Sequence, residues 1–453
     1  MTVAILILGF FLRVVNLNQS FWLDEASQAV QSSRSIGYIW FQRSADFHPP
    51  LFYFLAHVWM QFGRSEIWLR LLPISFAVAN IYVIYILAEK LFPNQSLKIS
   101  EIAAFFIAIS PFHIYYSQEF RSYSLLCLLA TLAIYFIYQK RFFWLAVINA
   151  LLFYTHYSAF FLYIAQLAYL LFYDRNNFKK FMIHNLLFII LILPWLPQFL
   201  KQLQSGTNID TYFPGWQEVL SISPLKAFPT VIFKLVAGRI SFLSRWLYGA
   251  YIIFVFTVTF FGLFIARHRH ANLYLWVFVP IFSMLAISFW LPQTQPFRVI
   301  YVLPPLLLLF SSAALRFPKL IITLLIYISI VGNLAYFTRP RLQREQWRQA
   351  AIFLQSQAGV VIIKFPGNFA PLDWYAPNLE VIAAVPTMPA KPEEVSLKLS
   401  GLINHDTVFL LEYLTDLTDP QRLVDLNLKN QGFKLSRTYD FPGVGFIYKY
   451  IKS

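Results

Sequence analysis

Ser20-Phe21-Trp22-Leu23-Asp24-Glu25-Ala26 follows directly on an apolar run, Thr2 to Leu17, and sets two adjacent carboxylates at the border of a segment of membrane character. Acids are scarce in most of this chain. The first 339 residues carry only ten (Asp24, Glu25, Asp46, Glu66, Glu89, Glu101, Glu119, Asp174, Asp210 and Glu218), so a neighbouring pair at such a border calls for a reason. One reading is electrostatic: acids in the first turn of a helix running to about Ser33 complement the positive end of its dipole. The other is chemical. Successive side chains point in different directions, so one carboxylate can face a reacting group while its neighbour orients it or holds a metal.

Composition sets the solvent. With 453 residues, 58% of them apolar and 19% aromatic, and a mean hydropathy of +0.58, the chain has more apolar surface than a water-soluble fold can hide. The net charge of +15 does not point to nucleic acid, because the basic residues gather in short clusters between apolar runs, as expected of loops on the cytoplasmic side of a membrane. The single cysteine, Cys127, lies within an apolar run, which excludes an intrachain disulfide and a cysteine metal site. The first run has neither a basic start nor a small-residue cleavage site, and reads as a retained helix.

Runs long enough to cross about 30 Å of hydrocarbon fall at about 2–17, 66–89, 100–116, 122–138, 142–156, 158–173, 181–200, 245–266, 273–291, 298–315 and 319–337. The stretches 49–62 and 226–244 read as interfacial or re-entrant helices instead. Loop charges support this count. Lys90 and Lys98, Lys140 and Arg141, Arg175, Lys179 and Lys180, Arg267 and Arg269, and Arg316 and Lys319 fall on one side, the expected cytoplasmic one. The segments rich in polar, reactive side chains fall on the other.

From about Thr338 acids become common and soluble-type periodicity appears, with strand-like runs at 360–365, 381–385, 407–413, 433–440 and 445–450 between helical ones. The expected fold is an α-helical polytopic membrane protein of about 11–13 transmembrane helices, spanning residues 1–338. A small C-terminal α/β extracytoplasmic domain, mixed rather than purely parallel, spans 339–453. It carries neither a GxGxxG sequence nor a P-loop.

Four further motifs lie on the expected outer face. His48-Pro49-Pro50-Leu51-Phe52-Tyr53 reads as a stiff helix entry, with His48 either a cap or an imidazole held near the acid pair. Gln118-Glu119-Phe120-Arg121-Ser122-Tyr123 forms a tight turn between two spans, where an acid and a guanidinium at membrane depth generally face a cavity. Arg121 and Arg298 suit a phosphate, whose oxygens match the guanidinium fork. His156, in Tyr154-Thr155-His156-Tyr157, is a polar turn or a ligand, and the segment from Arg344 to Ala351, with Trp347 and Arg348, is an ordinary amphipathic helix or a cover over the outer cavity. Arg13, near the outer end of the first span, is expected to snorkel.

Together these motifs resemble the multi-spanning glycosyltransferases of the C superfamily, in the branch of the protein O-mannosyltransferases, the aminoarabinose transferase of lipid A and the bacterial RgtA/B/C/D-like enzymes. Trp22-Leu23-Asp24-Glu25, the His48–Tyr53 and Gln118–Tyr123 motifs, Phe297-Arg298-Val299-Ile300-Tyr301 with Pro304-Pro305, and Gln346-Trp347-Arg348-Gln349-Ala350-Ala351 carry the resemblance, which covers residues 1 to about 351. It implies transfer of a sugar from a polyprenyl-phosphate donor to a protein, glycan or lipid acceptor at the outer face of the plasma (inner) membrane, with inversion at the anomeric carbon. Asp24 would be the general base and Glu25 its support, with Glu119 in the catalytic set. Arg121 and Arg298 would bind the donor phosphate, and His48, Tyr123, His156, Tyr301, Trp347 and Arg348 would line the substrate site. Some relatives use a divalent metal (Mg, Mn or Zn), for which Glu25, Glu119 and His48 are the candidate ligands. Two other classes compete: a transporter or flippase of a lipid-linked saccharide, which predicts charges deep within broken spans, and an O-antigen ligase or polymerase, which needs its main site in the 201–229 loop.

Overall fold

The structure is a computed structural model, and it describes residues 2–42, 47–93, 96–207, 221–242, 244–266, 271–291 and 294–453. Asp46, Asp210, Glu218, Arg267 and Arg269 lie outside the described residues, as does most of the loop on which the ligase reading rests. The chain forms two compact units. One comprises Met1–Leu17, Ile36–Leu203 and Leu220–Leu342; the other comprises Asn18–Ser35, Gln204–Val219 and Gln343–Ser453.

The first unit is helical and apolar. Among the described residues Glu66–Leu91, Arg175–Thr207, Arg245–Ala266, Pro296–Ala314 and Pro318–Thr338 are long and apolar enough to cross a membrane, and Lys98–Ile109 with Pro111–Ser117 makes a further span bent by 57°. Shorter apolar helices are Thr2–Val14, Tyr123–Tyr138, Phe142–Thr155, Ala159–Phe172 and Asn272–Ile287. These eleven segments coincide with the eleven runs read from the sequence, and the protein is a multi-pass membrane protein. The stretches 49–62 and 226–244, read as interfacial or re-entrant, overlap the helices Leu51–Trp59 and Pro224–Ala237; at about 1.5 Å per residue the first is too short to span the hydrocarbon.

The bent span has a local cause. Pro111 occupies the first turn of Pro111–Ser117 and has no N–H, so the helix before it ends with carbonyls that lack intrahelical donors. In lipid such groups need partners from the protein. Arg13 supplies them: its guanidinium donates to the carbonyls of Ala108 (2.9 Å), Ile107 (3.0 Å) and Gly9 (2.7 Å), and to Nδ1 of His113 (2.7 Å). Asn333 donates to the remaining carbonyl, Ile109, at 2.8 Å. Its neighbour Gly332 permits this approach, since a Cβ there would lie 2.5 Å from the Ala237 carbonyl oxygen and 2.7 Å from Pro111 Cγ. Arg13 therefore does not snorkel. It is wholly buried, because the broken helix offers it better acceptors than the interface does.

In the second unit, β1 (Val360–Ile363), β2 (Val381–Ala383), β3 (Thr407–Leu411), β4 (Phe433–Phe441) and β5 (Gly445–Lys452) form one sheet in the order β2-β1-β3-β5-β4. The first three strands are parallel and the last two antiparallel. Alternation along β1 explains the layering: Val361 and Ile363 pack with Trp347, Leu354 and Leu372, whereas Val360 and Ile362 pack with Val395, Leu399 and Val424. Both faces are covered, as a parallel core requires. Lys364, just beyond β1, has a fully buried side chain 2.6 Å from Asp425, 3.4 Å from Glu412 and 3.6 Å from Asp419.

Two substitutions test these polar anchors. Arg13→Met leaves the carbonyls of Ile107 and Ala108 without donors and should cost about 2–4 kcal/mol, read as loss of thermal stability in detergent. Lys364→Met strands buried carboxylates and should cost about 3–5 kcal/mol, read as faster proteolysis of the C-terminal domain.

Candidate active site

Chemistry-bearing residues gather separately in each unit. In the first, the organising element is the turn 118–122 between the helices Pro111–Ser117 and Tyr123–Tyr138. Gln118 fixes this turn. Its amide donates to the carbonyls of Arg13 (2.8 Å) and Val15 (2.7 Å), at the C-terminal end of the first helix, and its Oε1 accepts from the Tyr336 hydroxyl at 2.6 Å. One side chain thus ties two helices to the turn that carries Glu119 and Arg121. Phe120 is fully buried against Phe52 at 5.7 Å, which couples the turn to the helix entered through His48-Pro49-Pro50.

That coupling brings the basic residues together. Arg121 donates from Nη2 to Nε2 of His48 at 3.0 Å, and the His48 ring meets the His156 ring edge to face at 6.2 Å. His156 lies in the connection after Phe142–Thr155. Burial holds its pKa well below the usual histidine value, and His48, Arg298 and Arg121 act in the same direction. The Phe297 ring meets that of Tyr123 at 4.9 Å, tilted by 50°, and Tyr123 lies 6.2 Å from His156. Arg298 sits over Phe297, 5.9 Å from its centroid, and its carbonyl accepts from the Ser158 hydroxyl. Tyr301 is buried and donates to the Ser158 carbonyl at 2.7 Å. Two guanidiniums and two imidazoles from sequence positions 48, 121, 156 and 298 thus share one neighbourhood, with the nearly inaccessible Glu119 in the same turn as Arg121. Such a set suits an anion.

The chain is similar in fold to ArnT and to an oligosaccharyltransferase. ArnT from Cupriavidus metallidurans bound to undecaprenyl phosphate superposes with a TM-score of 0.59 at 12% identity, over 99% of this chain and 97% of that one. The Archaeoglobus fulgidus oligosaccharyltransferase tethered to an acceptor peptide containing the NVT sequon gives 0.57 at 12% identity, over 99% and 74%. Its complex with Zn and sulfate gives 0.54 at 12% identity, over 98% and 72%. Residues 47–197 match the dolichyl-phosphate-mannose-protein mannosyltransferase family. That stretch holds His48, Glu119, Arg121, Tyr123 and His156. No curated protein matches the chain by sequence.

The second unit holds the acid pair. Asp24 and Glu25 occupy the first turn of the helix Leu23–Ser32; Asp24 is partly accessible and Glu25 fully buried. The two directions expected of adjacent side chains are therefore realised. This helix packs on the helix Ala370–Tyr375. Phe21 lies 5.9 Å from Trp374, and its N–H donates to the Tyr375 hydroxyl at 2.7 Å. Trp347 is completely buried and Arg348 donates to Asn18 at 3.1 Å, so both belong to the framework of this unit. Among the described residues no group of three or more His, Cys, Asp and Glu side chains could hold a metal ion.

The sequence reading missed Gln118, although it quoted the motif containing it. A glutamine gives no sign of which carbonyls, a hundred residues away, it will cap. Replacing it with leucine removes three hydrogen bonds from a buried site and should cost about 2–4 kcal/mol, read as thermal stability in detergent. Arg121→Lys, which keeps the charge, should leave that stability within about 1 kcal/mol.

Proposed function

We propose that this protein transfers a sugar from a polyprenyl-phosphate donor to an acceptor hydroxyl at the outer face of the plasma membrane, with inversion. The observation that carries this reading is the gathering of His48, Arg121, His156 and Arg298 within one unit of a glycosyltransferase fold. A lipid phosphate at a membrane border needs such cations, because the leaving group departs with a negative charge that hydrocarbon cannot solvate. The undecaprenyl phosphate bound to ArnT and the acceptor peptide tethered to the oligosaccharyltransferase support the donor and acceptor classes.

In the proposed reaction Asp24 takes the proton of the acceptor hydroxyl. The freed oxygen attacks the anomeric carbon from the face opposite the phosphate, and the carbon–oxygen bond to the phosphate breaks with its electron pair on the leaving group. Arg121 and Arg298 stabilise that charge. His48 and His156 form hydrogen bonds around the headgroup, while Glu25, buried beside Asp24, holds the base in its direction. Glu119 belongs to the catalytic set through the turn it shares with Arg121. Tyr123 and Tyr301 shape the wall, Arg348 and Trp347 the framework of the acceptor side. Among the described residues no three His, Cys, Asp or Glu side chains gather as ligands for Mg, Mn or Zn, and no step is routed through a metal. The C-terminal domain, on this reading, is extracytoplasmic and selects the acceptor.

Purified protein assayed with radiolabelled polyprenyl-phosphate sugars tests this directly. Asp24→Asn should lower turnover about 10²–10⁴-fold, and Arg121→Ala or Arg298→Ala about 10²–10³-fold. Retention of full turnover by both Asp24→Asn and Glu119→Gln would refute the assigned roles. Cysteines introduced at positions 24 and 400 should both react with an impermeant reagent from the same, outer compartment.

A further inference from the structure

The helix that carries the acid pair lacks a cap of its own. Trp22 stands at its N-cap with extended backbone and gives no side-chain hydrogen bond, leaving the first N–H groups to find acceptors elsewhere. One is found 322 residues away: the Leu23 N–H donates to Oε2 of Glu345 at 3.2 Å. The same carboxylate takes the Trp347 indole N–H at 2.6 Å on Oε2 and the Tyr413 hydroxyl at 3.1 Å on Oε1. The Glu345 backbone is engaged as well, its carbonyl accepting the Ser20 hydroxyl. On the other side the turn between β4 and β5 presses against it. The Gln346 N–H donates to the Pro442 carbonyl at 3.0 Å, and Gly443, at φ +80°, admits no side chain, since a Cβ would lie 2.9 Å from Glu345 Cα.

We propose that Glu345 is a positioning residue, a carboxylate cap supplied by the C-terminal domain that fixes the first turn of the Leu23–Ser32 helix and so aims Asp24. The proposal rests on the reading of Asp24 as the base. A carboxylate suits this place because its charge complements the helix N-terminus and accepts from three donors at once. The charged and titratable groups around it are Asp24 on the capped helix and Tyr413 beyond β3. Loss of hydration raises the Glu345 pKa; the N–H of Trp347, the N–H of Leu23 and the Tyr413 hydroxyl act against that rise, and the charge of Asp24 adds to it. As pH falls through that raised value the carboxyl takes a proton, its hold on the Leu23 N–H weakens, and turnover falls.

The test compares Glu345→Gln, Glu345→Ala and Asp24→Asn with wild type, as full-length protein in detergent or nanodiscs. Amide exchange at residues 21–27, followed by mass spectrometry, should quicken at least about tenfold in Glu345→Ala, as loss of a cap worth 1.4 kcal/mol or more requires, and less in Glu345→Gln, which keeps an acceptor. Sugar transfer by Glu345→Gln should fall about tenfold, with its acid limb displaced to lower pH because glutamine does not titrate. Unchanged exchange in both variants overturns the proposal, whatever the activities. An acid limb that stays in place in Glu345→Gln overturns it too, reducing Glu345 to a packing residue. Full turnover in Asp24→Asn, by contrast, sinks the reading of Asp24 as base, while quickened exchange in Glu345→Ala still establishes the cap.

Discussion

A break in a helix within hydrocarbon exposes carbonyls that neither water nor lipid can satisfy, and the first unit is arranged around the answer to that problem. Pro111 makes the break; Arg13 and Asn333, from two other helices, close it. The break is what allows the chain to turn at 118–122 instead of continuing as a straight span, and Gln118 then holds that turn against the end of the first helix. Glu119 and Arg121 owe their place to this chain of polar contacts. The aromatic packing of Phe120 on Phe52 and of Phe297 on Tyr123 adds shape to it, bringing His48 and Arg298 alongside. A charged side chain buried in a membrane normally marks function. Here one such residue, Arg13, builds the scaffold.

The second unit solves a different problem, that of holding two acids on a short helix with no cap. The helix Leu23–Ser32 packs on Ala370–Tyr375 through Phe21, Trp374 and Tyr375, and its first N–H is taken by Glu345. The difference between the partly open Asp24 and the enclosed Glu25 follows from that docking, because rotation of the helix about its axis would exchange them. What looks in sequence like a loop between spans is structurally a covering element of the mixed sheet.

Much of this was legible in the residues. The long apolar runs announce their helices because only a helix satisfies its own backbone in lipid, and short, continuous apolar runs between helical segments announce the buried strands β1 and β3. Five motifs, at 22–25, 48–53, 118–123, 297–301 and 346–351, read as one pattern; side chains of the middle three meet within the first unit. The illegible part consists of contacts whose partner is a backbone carbonyl or a distant carboxylate. Arg13 was expected to snorkel because sequence shows a basic residue near a helix end but not the acceptors opened by Pro111. Trp347, quoted as a substrate residue, is a core side chain whose indole N–H is spent on Glu345. Short helices such as Ala370–Tyr375 escaped notice because six residues carry too little periodicity to be distinguished from a loop.

The discontinuity of the second unit bears on how the molecule is made. Residues 18–35 are synthesised early, yet the surface they cover, from Glu345 to Tyr413, is complete only after 378 further residues have left the ribosome. Until then the acid-bearing helix is too short to persist alone, and closing so long a loop carries an entropic charge that only the finished sheet repays. Assembly of the membrane helices can therefore run ahead of the moment at which the acids acquire a fixed direction. A chain arrested or clipped before the last strands would be inserted, and unable to work.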